Sequence, residues 1–496
     1  MQRFAGAKLA RQLVLGIDVG TSSVKALFLE PSSKFLLRDE IKLKVTRVGK
    51  AAEQDPLEYL SAVQQLVKRN QELVSDVIAI GLSGQTPTVI CIDNKGNPTS
   101  PALIWQDSRA EKEAKDLAER FGNPINIVGT SLPWAASACP AKLFWLSRNF
   151  PDVIANTRWI LQPKDFLGFH ITGRAISDPW SSKGLCNVQT LEPIDQLLEY
   201  VGWGKGVVPE LAMGYESRGE TSDYSADYFG FPNGIPVSVG WSDAMSAMIA
   251  LGVMQRPTSF IITGTSAIVG TSSPNSPEDG ANLYVIPTSC SPLAVTYGPT
   301  QMSGGAISWM ANVLEISEEE LISKGSADQG DSVPTFLPYI SGERAPLWRS
   351  DIRGRLVDID ISHNQSSFAR AVMEGISWAE RQVIEESERL TKTHSDEVVL
   401  GGHAGNDLRW ESVRARTLGR SLLRYEDPDI TTRGAAMLAY AMITKDLRKS
   451  FFSLSVASVS KSATQLDVEY ANRNYKKFIS SQVSLLSEIS RDGKSK

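Results

Sequence analysis

The pattern of apolar and polar residues near the start of the chain predicts a strand–turn–strand unit. Residues 13–17 form an apolar run that ends at Asp18, and residues 24–29 form a second apolar, β-branched run. The four residues between the runs, GTSS at 20–23, form a tight turn that exposes backbone N–H groups, which suits a phosphate. Asp18 beside the turn suits Mg²⁺, which prefers oxygen ligands. We therefore predict a nucleotide phosphate site, with an ordinary hairpin as the alternative.

The same pattern returns in the second half of the chain. A predicted strand at residues 259–263 leads into Gly264-Thr265-Ser266, and the apolar residues 267–269 follow. The repeat predicts a duplicated pair of α/β domains that would enclose a nucleotide from both sides. We place the boundary between them around residues 255–257.

Helical periodicity alternates with the predicted strands. Asp55-Pro56 is typical of a helix start, and a long amphipathic helix is predicted over 368–390. A strand at 398–400 runs into the glycine-rich residues 401–406, and a helix to about residue 418 follows. Such a strand-to-helix turn lets the backbone approach a ligand closely.

Asp243 is the candidate catalytic base. It lies between a predicted strand at 235–239 and a predicted apolar helix at 244–254. A carboxylate there is costly unless it serves a site or caps the helix, and both interpretations stay open. In phosphoryl transfer the base mainly orients the attacking hydroxyl and takes its proton late.

Polar residues beside an aromatic ring end two further strands. Gln85, Trp105 and Asp107 lie near the turn at Ser83, where they would suit a polyol, since a polyol needs directional hydrogen bonds and an apolar face. Ordinary solvation of strand ends is the alternative. Lys142, on a predicted helix over 141–148, is interpreted as a snorkelling lysine at a packed face.

Composition excludes several classes of protein. The chain has 496 residues, a net charge of −5 and no apolar run of about 18 residues, so neither nucleic acid nor membrane is predicted as a partner. Its four cysteines form no Cys-x-x-Cys pair, which argues against zinc and fits a reducing, intracellular compartment.

P-loop, dinucleotide-binding, protein-kinase and hydrolytic-triad motifs are absent. The first twelve residues are basic, which fits either a transit-peptide remnant or a loose terminus.

Four motifs together resemble the FGGY family of carbohydrate kinases. They are Asp18-x-Gly20-Thr21-Ser22, Gly240-x-x-Asp243-Ala244, Gly264-Thr265-Ser266 and Gly401-Gly402-x-x-x-Asn406. Residues 139–149 resemble the first signature of that family, and the resemblance spans residues 13–444. It implies two ribonuclease-H-like domains of the actin and hexokinase superfamily with an active-site cleft between them. We predict a sugar-binding domain at 13–254, an ATP-binding domain at 257–445 and a helical extension at 446–496.

The resemblance also implies roles for the matching residues. Asp18 would lie by Mg²⁺ and the transferring phosphate, and Asp243 would be the general base. The residues implied at the phosphates of ATP are Thr21, Ser22, Gly264, Thr265 and Ser266. Those implied at the adenosine are Gly401, Gly402, Asn406 and Gly305, and the spacing suggests Trp410 against the adenine. The residues implied at the sugar are Asp18, Ser83, Gln85, Trp105, Asp107 and Asp243.

The sugar segment resembles the xylulokinase branch with one departure. That branch commonly has Gln-Met-His-Gly where this chain has Gln85-Thr86-Pro87-Thr88. The whole is most similar to the plant and cyanobacterial branch, which implies a ketopentose kinase with D-ribulose favoured over D-xylulose. The alternatives are a kinase of ribitol or glycerol, or a weakly ATP-hydrolysing protein that acts through partners. A monomer or homodimer in the plastid stroma or cytoplasm is expected.

Overall fold

The computed structural model describes residues 11–31, 36–328, 330, 332–402, 407–427, 429–456 and 458–492. The chain divides into two compact units. Unit 1 comprises Met1–Gly129, Pro133–Ala250 and Thr431–Ser455, and unit 2 comprises Thr130–Leu132, Leu251–Ile430 and Val456–Lys496. The domain boundaries given above stay a prediction, and the basic residues 1–10 lie outside the described residues.

The elements up to residue 250 belong to unit 1. The strands are β1 (Leu13–Val19), β2 (Ser23–Leu29), β3 (Leu36–Lys42), β4 (Thr46–Val48), β5 (Ala51–Gln54), β6 (Val77–Gly84), β7 (Ile90–Ile92), β8 (Ala102–Leu103), β9 (Trp159–Leu161), β10 (Ile176–Ser177), β11 (Glu210–Leu211), β12 (Ser217–Glu220), β13 (Pro236–Ser238) and β14 (Trp241–Ser242). The helices are α1 (Pro56–Arg69), α2 (Gln71–Val74), α3 (Glu111–Phe121), α4 (Ile125–Val128), α5 (Cys139–Asn149), α6 (Pro151–Asn156), α7 (Pro163–Thr172), α8 (Asp195–Tyr200), α9 (Asp223–Phe229) and α10 (Asp243–Ala250), with a 3-10 turn at Lys205–Val207.

The remaining elements follow in chain order. The strands are β15 (Ser259–Thr263), β16 (Ala267–Ser273), β17 (Tyr284–Ile286), β18 (Ala294–Pro299), β19 (Thr335–Leu337), β20 (Arg355–Val357), β21 (Glu397–Gly402), β22 (Ser421–Tyr425) and β23 (Ser458–Lys461). The helices are α11 (Gly304–Val313), α12 (Glu318–Ala327), α13 (Gln365–Thr391), α14 (Leu408–Leu418), α15 (Ile430–Thr444), α16 (Leu447–Leu454) and α17 (Gln465–Asp492). All but α15 and α16 lie in unit 2; those two belong to unit 1, apart from the first residue of α15.

The main sheet of unit 1 has the strand order β12-β13-β6-β1-β2-β3, with β14 paired to β6. β1 is antiparallel to β2 and parallel to β6. On one face, Leu15 and Ile17 belong to a core shared with α1 and α7. The predicted start of α1 is confirmed, because the carboxylate of Asp55 accepts a hydrogen bond from the amide of Leu57 at 3.0 Å.

The opposite face of this sheet lies against α15. A Cβ added at Gly16 would lie 2.3 Å from the carbonyl oxygen of Thr432, and one at Gly81 would lie 1.8 Å from that of Ala435. Only glycine allows this approach, which explains the small residues of both elements. The predicted helix over 244–254 is too long: α10 ends at Ala250, and Gly252 turns the chain at a φ of +72°.

Unit 2 repeats the arrangement around its own central strand. Its main sheet has the order β17-β18-β16-β15-β21-β22-β23. β15 is antiparallel to β16 and parallel to β21, as β1 is to β2 and β6. The core around β15 includes Val383 and Ile384 of the long helix α13, which extends the predicted amphipathic helix by a few residues at its start. The predicted strand–turn–strand repeat is therefore present in both units.

Candidate active site

The structure brings three of the predicted residues of unit 1 to one edge of the sheet. Asp18 on β1 is in register with Ser83 on β6, and Ser83 is in register with Trp241 on β14. Residues in register on neighbouring strands point to the same face. Asp243 follows β14 as the first residue of α10. Asp18, Ser83 and Asp243 therefore gather at the carboxyl end of parallel strands, where α/β sheets commonly bind ligands.

Asp243 is a partly exposed carboxylate with a raised pKa. Its Oδ1 accepts a hydrogen bond from the amide of Ala244 at 2.7 Å. An N-cap side chain would instead accept from the second or third residue of the helix. The side chain keeps some surface to solvent, yet burial among protein groups raises its pKa to about 6. The contact with Ala244 does not match the capping interpretation, and the role of Asp243 as a base stays a prediction.

Thr21 of the first turn forms hydrogen bonds with two of the predicted sugar residues. The Thr21 hydroxyl donates to Oε1 of Gln85 and accepts from Nε1 of Trp105, both at 2.9 Å. Gln85 in turn donates to Oε1 of Gln54 at 2.7 Å, and Gln54 donates to the Thr21 carbonyl at 2.9 Å. The Tyr59 hydroxyl also donates to Gln54. The side chain and the carbonyl of Thr21 are thus both engaged by this network, and the contact of the turn with a phosphate stays a prediction.

Sequence reasoning missed Gln54 and Tyr59, because nothing in their spacing separates them from an ordinary strand end and helix. The predicted sugar residue Asp107 is also engaged by protein. Its Oδ2 accepts from the amide of Ala52 at 3.0 Å and from Nε of Arg109 at 2.9 Å. This geometry favours a supporting role for Asp107, whereas Trp105 keeps 40% of its surface exposed.

The second turn is joined to the start of a helix. The amide of Gly264 donates to the Ser266 carbonyl at 2.8 Å, as that of Gly20 does to Ser23 in the first turn at 3.0 Å. The amide of Gly304 donates to the Gly264 carbonyl, and that of Gly305 to the Thr265 carbonyl. Thr265 is exposed. The exposed turn and the first residues of α11 therefore form one surface.

The end of β21 lies beside this turn. Gly402 is in register with Thr263, has a φ of +96°, and would carry a Cβ only 2.1 Å from the carbonyl oxygen of Thr263. Gly401 is in register with Ile262. Asn406 lies outside the described residues. The predicted ATP residues Gly264–Ser266, Gly305 and Gly401–Gly402 are thus close neighbours within unit 2.

Trp410 is buried in the core of unit 2. It is 2% exposed and packs with α11 and α13, and the guanidinium of Arg414 lies 4.2 Å from its ring centre. Arg414 pairs with both carboxylate oxygens of Glu380 at 2.9 Å, and Ser303 donates to Glu380 at 3.3 Å. The ring of Trp410 is therefore engaged by protein, and its contact with adenine stays a prediction.

Sequence reasoning also missed Glu343, a buried carboxylate of unit 2. Oε1 of Glu343 accepts from the amides of Gln301 and Arg344, and Arg344 donates to the Thr300 carbonyl at 2.6 Å. Burial raises the pKa of Glu343 to about 7. The pair fixes residues 300–301 just before α11, and sequence spacing gave no sign of that contact.

The carboxylate near the first turn fits what Mg²⁺ bound to a nucleotide requires. Within the described residues, no three His, Cys, Asp or Glu side chains form a metal cluster. Mg²⁺ needs only one or two carboxylates, because nucleotide phosphates and water complete its ligands. Asp18 supplies a carboxylate, and a Cβ at Gly20 would lie 3.6 Å from its Oδ2. A glycine at that position keeps the approach to the carboxylate open.

Comparison with known proteins identifies the family. The N-terminal domain of the FGGY family of carbohydrate kinases matches residues 13–250, and its C-terminal domain matches residues 259–443. The chain belongs to the FGGY family of carbohydrate kinases. Kinases of this family use ATP as phosphate donor and act on small carbohydrates. The predicted family and its two-domain, actin- and hexokinase-like α/β fold are confirmed.

Individual relatives of this FGGY kinase are distant but cover most of its length. It is 25% identical to the xylulose kinase of Lactococcus lactis over 404 residues, which cover 79% of this chain and 80% of that protein. It is 27% identical to the glycerol kinase of Thermococcus onnurineus over 453 residues, covering 86% and 88%. A ligand-bound xylulose kinase structure from Lactobacillus acidophilus has a TM-score of 0.86 at 20% identity, covering 97% and 99%. In the described part of this chain, no helix is long and apolar enough to cross a membrane.

Proposed function

We propose that this FGGY kinase transfers the γ-phosphoryl group of ATP to the terminal hydroxyl of a ketopentose, with D-ribulose favoured over D-xylulose. The observation that carries the proposal is the meeting of Asp18, Ser83 and Asp243 at one sheet edge. Two carboxylates and a hydroxyl there match what a sugar and a phosphate require. Relatives named xylulose kinase support a ketopentose over other polyols.

In this proposal Asp243 orients the attacking hydroxyl and accepts its proton. The transition state of phosphoryl transfer is loose, so the proton leaves late and a weak base is sufficient. A carboxylate whose pKa is about 6 is mostly ionised at pH 7 and takes the proton more readily than an ordinary aspartate. The Ser83 hydroxyl, in register with Asp18, would hydrogen-bond the sugar.

The nucleotide would be held by backbone more than by side chains. The residues that would contact its phosphates are those of the turns, Gly20 to Ser22 and Gly264 to Ser266. Gly305, Gly401 and Gly402 would let the backbone approach the nucleotide closely. Asp18 would hold Mg²⁺. The ion, when bound, neutralises the charge that develops on the transferring phosphate.

The preference for D-ribulose rests on one departure in the sugar segment. The two ketopentoses differ in the configuration of one hydroxyl, so the groups facing that carbon decide between them. Thr86 and Pro87 replace the Met-His pair of xylulokinases, which removes an imidazole from the sugar segment. Loss of a polar partner can change discrimination strongly, whereas a change of apolar shape has a modest effect.

A coupled ADP-release assay tests the proposal. The purified chain is given Mg-ATP with D-ribulose, D-xylulose, ribitol or glycerol, and a reaction without sugar is the control. We expect the highest kcat/KM with D-ribulose, lower values with D-xylulose and little ADP without sugar. Higher kcat/KM with D-xylulose would overturn the sugar preference alone. ADP release that no sugar increases would reject the kinase proposal in favour of a weakly ATP-hydrolysing protein.

A further inference from the structure

Lys142 on α5 carries a buried ammonium with a complete set of partners. Its side chain is 0% exposed, so it does not snorkel to solvent as its spacing suggested. Nζ donates to the carbonyl oxygens of Pro87, Leu103 and Ile104 at 2.9, 3.1 and 2.8 Å. An ammonium has three N–H donors, and each one has an acceptor here. These hydrogen bonds offset part of the cost of burying the charge, and burial still lowers the pKa of Lys142 to about 7.

The three carbonyls belong to the two segments that carry the predicted sugar residues. Pro87 lies two residues after Gln85, and Ile104 immediately precedes Trp105. The segments also bond directly, since the amides of Val89 and Leu103 each donate to the other residue's carbonyl at 3.0 Å. Lys142 therefore holds both segments by their backbone.

The same two segments meet a second time at the first turn. The side chains of Gln85 and Trp105 both bond the Thr21 hydroxyl. Each segment is thus held by the Lys142 ammonium through its backbone and by Thr21 through a side chain. A small shift of either segment would move the sugar residues relative to the turn and to Asp18.

We propose that Lys142 is a positioning residue that sets the geometry of the sugar segments 85–88 and 103–107 against the first turn. The inference rests on the proposed function, because it assigns Lys142 to the sugar site of a ketopentose kinase. Misplacement of substrate by about 1 Å can lower the rate about 100-fold. Loss of Lys142 should therefore affect the sugar reaction and leave nucleotide binding unchanged.

The test compares Lys142→Met with Leu66→Ala. Met is unbranched and one atom shorter than Lys, and it cannot donate to the three carbonyls. Leu66 is a buried residue of α1 in the core of unit 1, so its truncation destabilises the unit at a position outside both segments. Melting temperature, KM and kcat for D-ribulose, and the Kd of ATP by calorimetry are measured for both variants below their melting temperatures.

We expect kcat/KM for the sugar to fall about 100-fold in Lys142→Met, with the Kd of ATP within about twofold of wild type. Leu66→Ala should melt earlier and keep its sugar kinetics. Sugar kinetics unchanged in both variants would show that Lys142 only stabilises the fold. If Lys142→Met does not fold, Lys142→Leu, which is also apolar and cannot donate to the three carbonyls, gives the same comparison. Wild-type protein that no sugar activates would instead overturn the proposed function, and the role of Lys142 with it.

Discussion

The two units present the same strand–turn–strand unit with different side chains at matching positions. In unit 1, the strand before the turn carries Asp18, in register with Ser83 on the neighbouring parallel strand. In unit 2, the residue at the same distance before the turn is Ile262, in register with Gly401. A carboxylate and a hydroxyl in one unit therefore correspond to an apolar side chain and a bare backbone in the other.

This difference separates two tasks that share one backbone design. The unit 1 edge has groups that can bind a cation and exchange a proton, and the Thr21 side chain there points into the network with Gln85. The unit 2 turn exposes Thr265 and accepts amides from the start of α11. On the proposed function, the duplicated fold would place the proton transfer on one copy and nucleotide-binding backbone on the other.

The comparison of the two units predicts that loss of Asp243 has the largest effect on kcat for the sugar. Asp243→Asn keeps the size of the side chain but cannot accept a proton, and general-base catalysis contributes about 10²- to 10⁴-fold. We expect kcat for the sugar to fall by that factor while the Kd of ATP stays near wild type. Asp195→Asn, at an exposed carboxylate of unit 1, makes the same charge change and should keep full activity. Turnover that survives in Asp243→Asn would remove Asp243 from the role of base.

A methyl group added at Gly402 should distort the predicted ATP-binding residues of unit 2. The φ of +96° and the carbonyl of Thr263 at 2.1 Å from an added Cβ leave no room for it. We expect Gly402→Ala to lower the free energy of unfolding by about 1–3 kcal/mol and to raise the KM for ATP. Gly204→Ala is the control, because nothing lies within 4 Å of its added Cβ. Equal melting temperatures and ATP kinetics for the two variants would contradict the close approach.

The sequence predicts those parts of the architecture that local residue patterns encode. It does not predict contacts between residues that are far apart in the chain. The turn at 20–23, its repeat at 264–266 and the strand-end position of Asp243 are encoded locally by glycine, hydroxyl and apolar patterns. The partners of Lys142 are carbonyls 38 to 55 residues away in the chain, and any residue type carries a carbonyl. A pattern of side chains therefore cannot predict such a contact. For the same reason the engagement of Asp107 and the burial of Trp410 emerge only from the fold.

The two threonines provide the sharpest contrast between the turns. Thr21→Val should leave Gln85 and Trp105 without their shared partner, which costs about 1 kcal/mol and raises the KM for sugar several-fold. Thr265→Val removes an exposed hydroxyl, so the melting temperature should stay constant while the KM for ATP rises. Steady-state kinetics with each substrate varied in turn separate the two effects. The contrast between the turns fails if both variants change the same Michaelis constant.

The smallest expected effect is on stability and follows from the raised pKa of Asp243. Burial moves this pKa from 3.8 to about 6, so between those values the folded protein binds a proton that the unfolded chain releases. The folded state therefore gains stability from this group as the pH falls from 6 towards 4, and the group costs stability above pH 6.

Asn at this position carries no charge at any pH. Asp243→Asn should melt a few degrees higher than wild type at pH 8, with a difference that shrinks as the pH approaches 4, as measured by calorimetry. A difference that stays constant with pH would show that Asp243 does not titrate in this range, and its selection as the base would then rest on position alone.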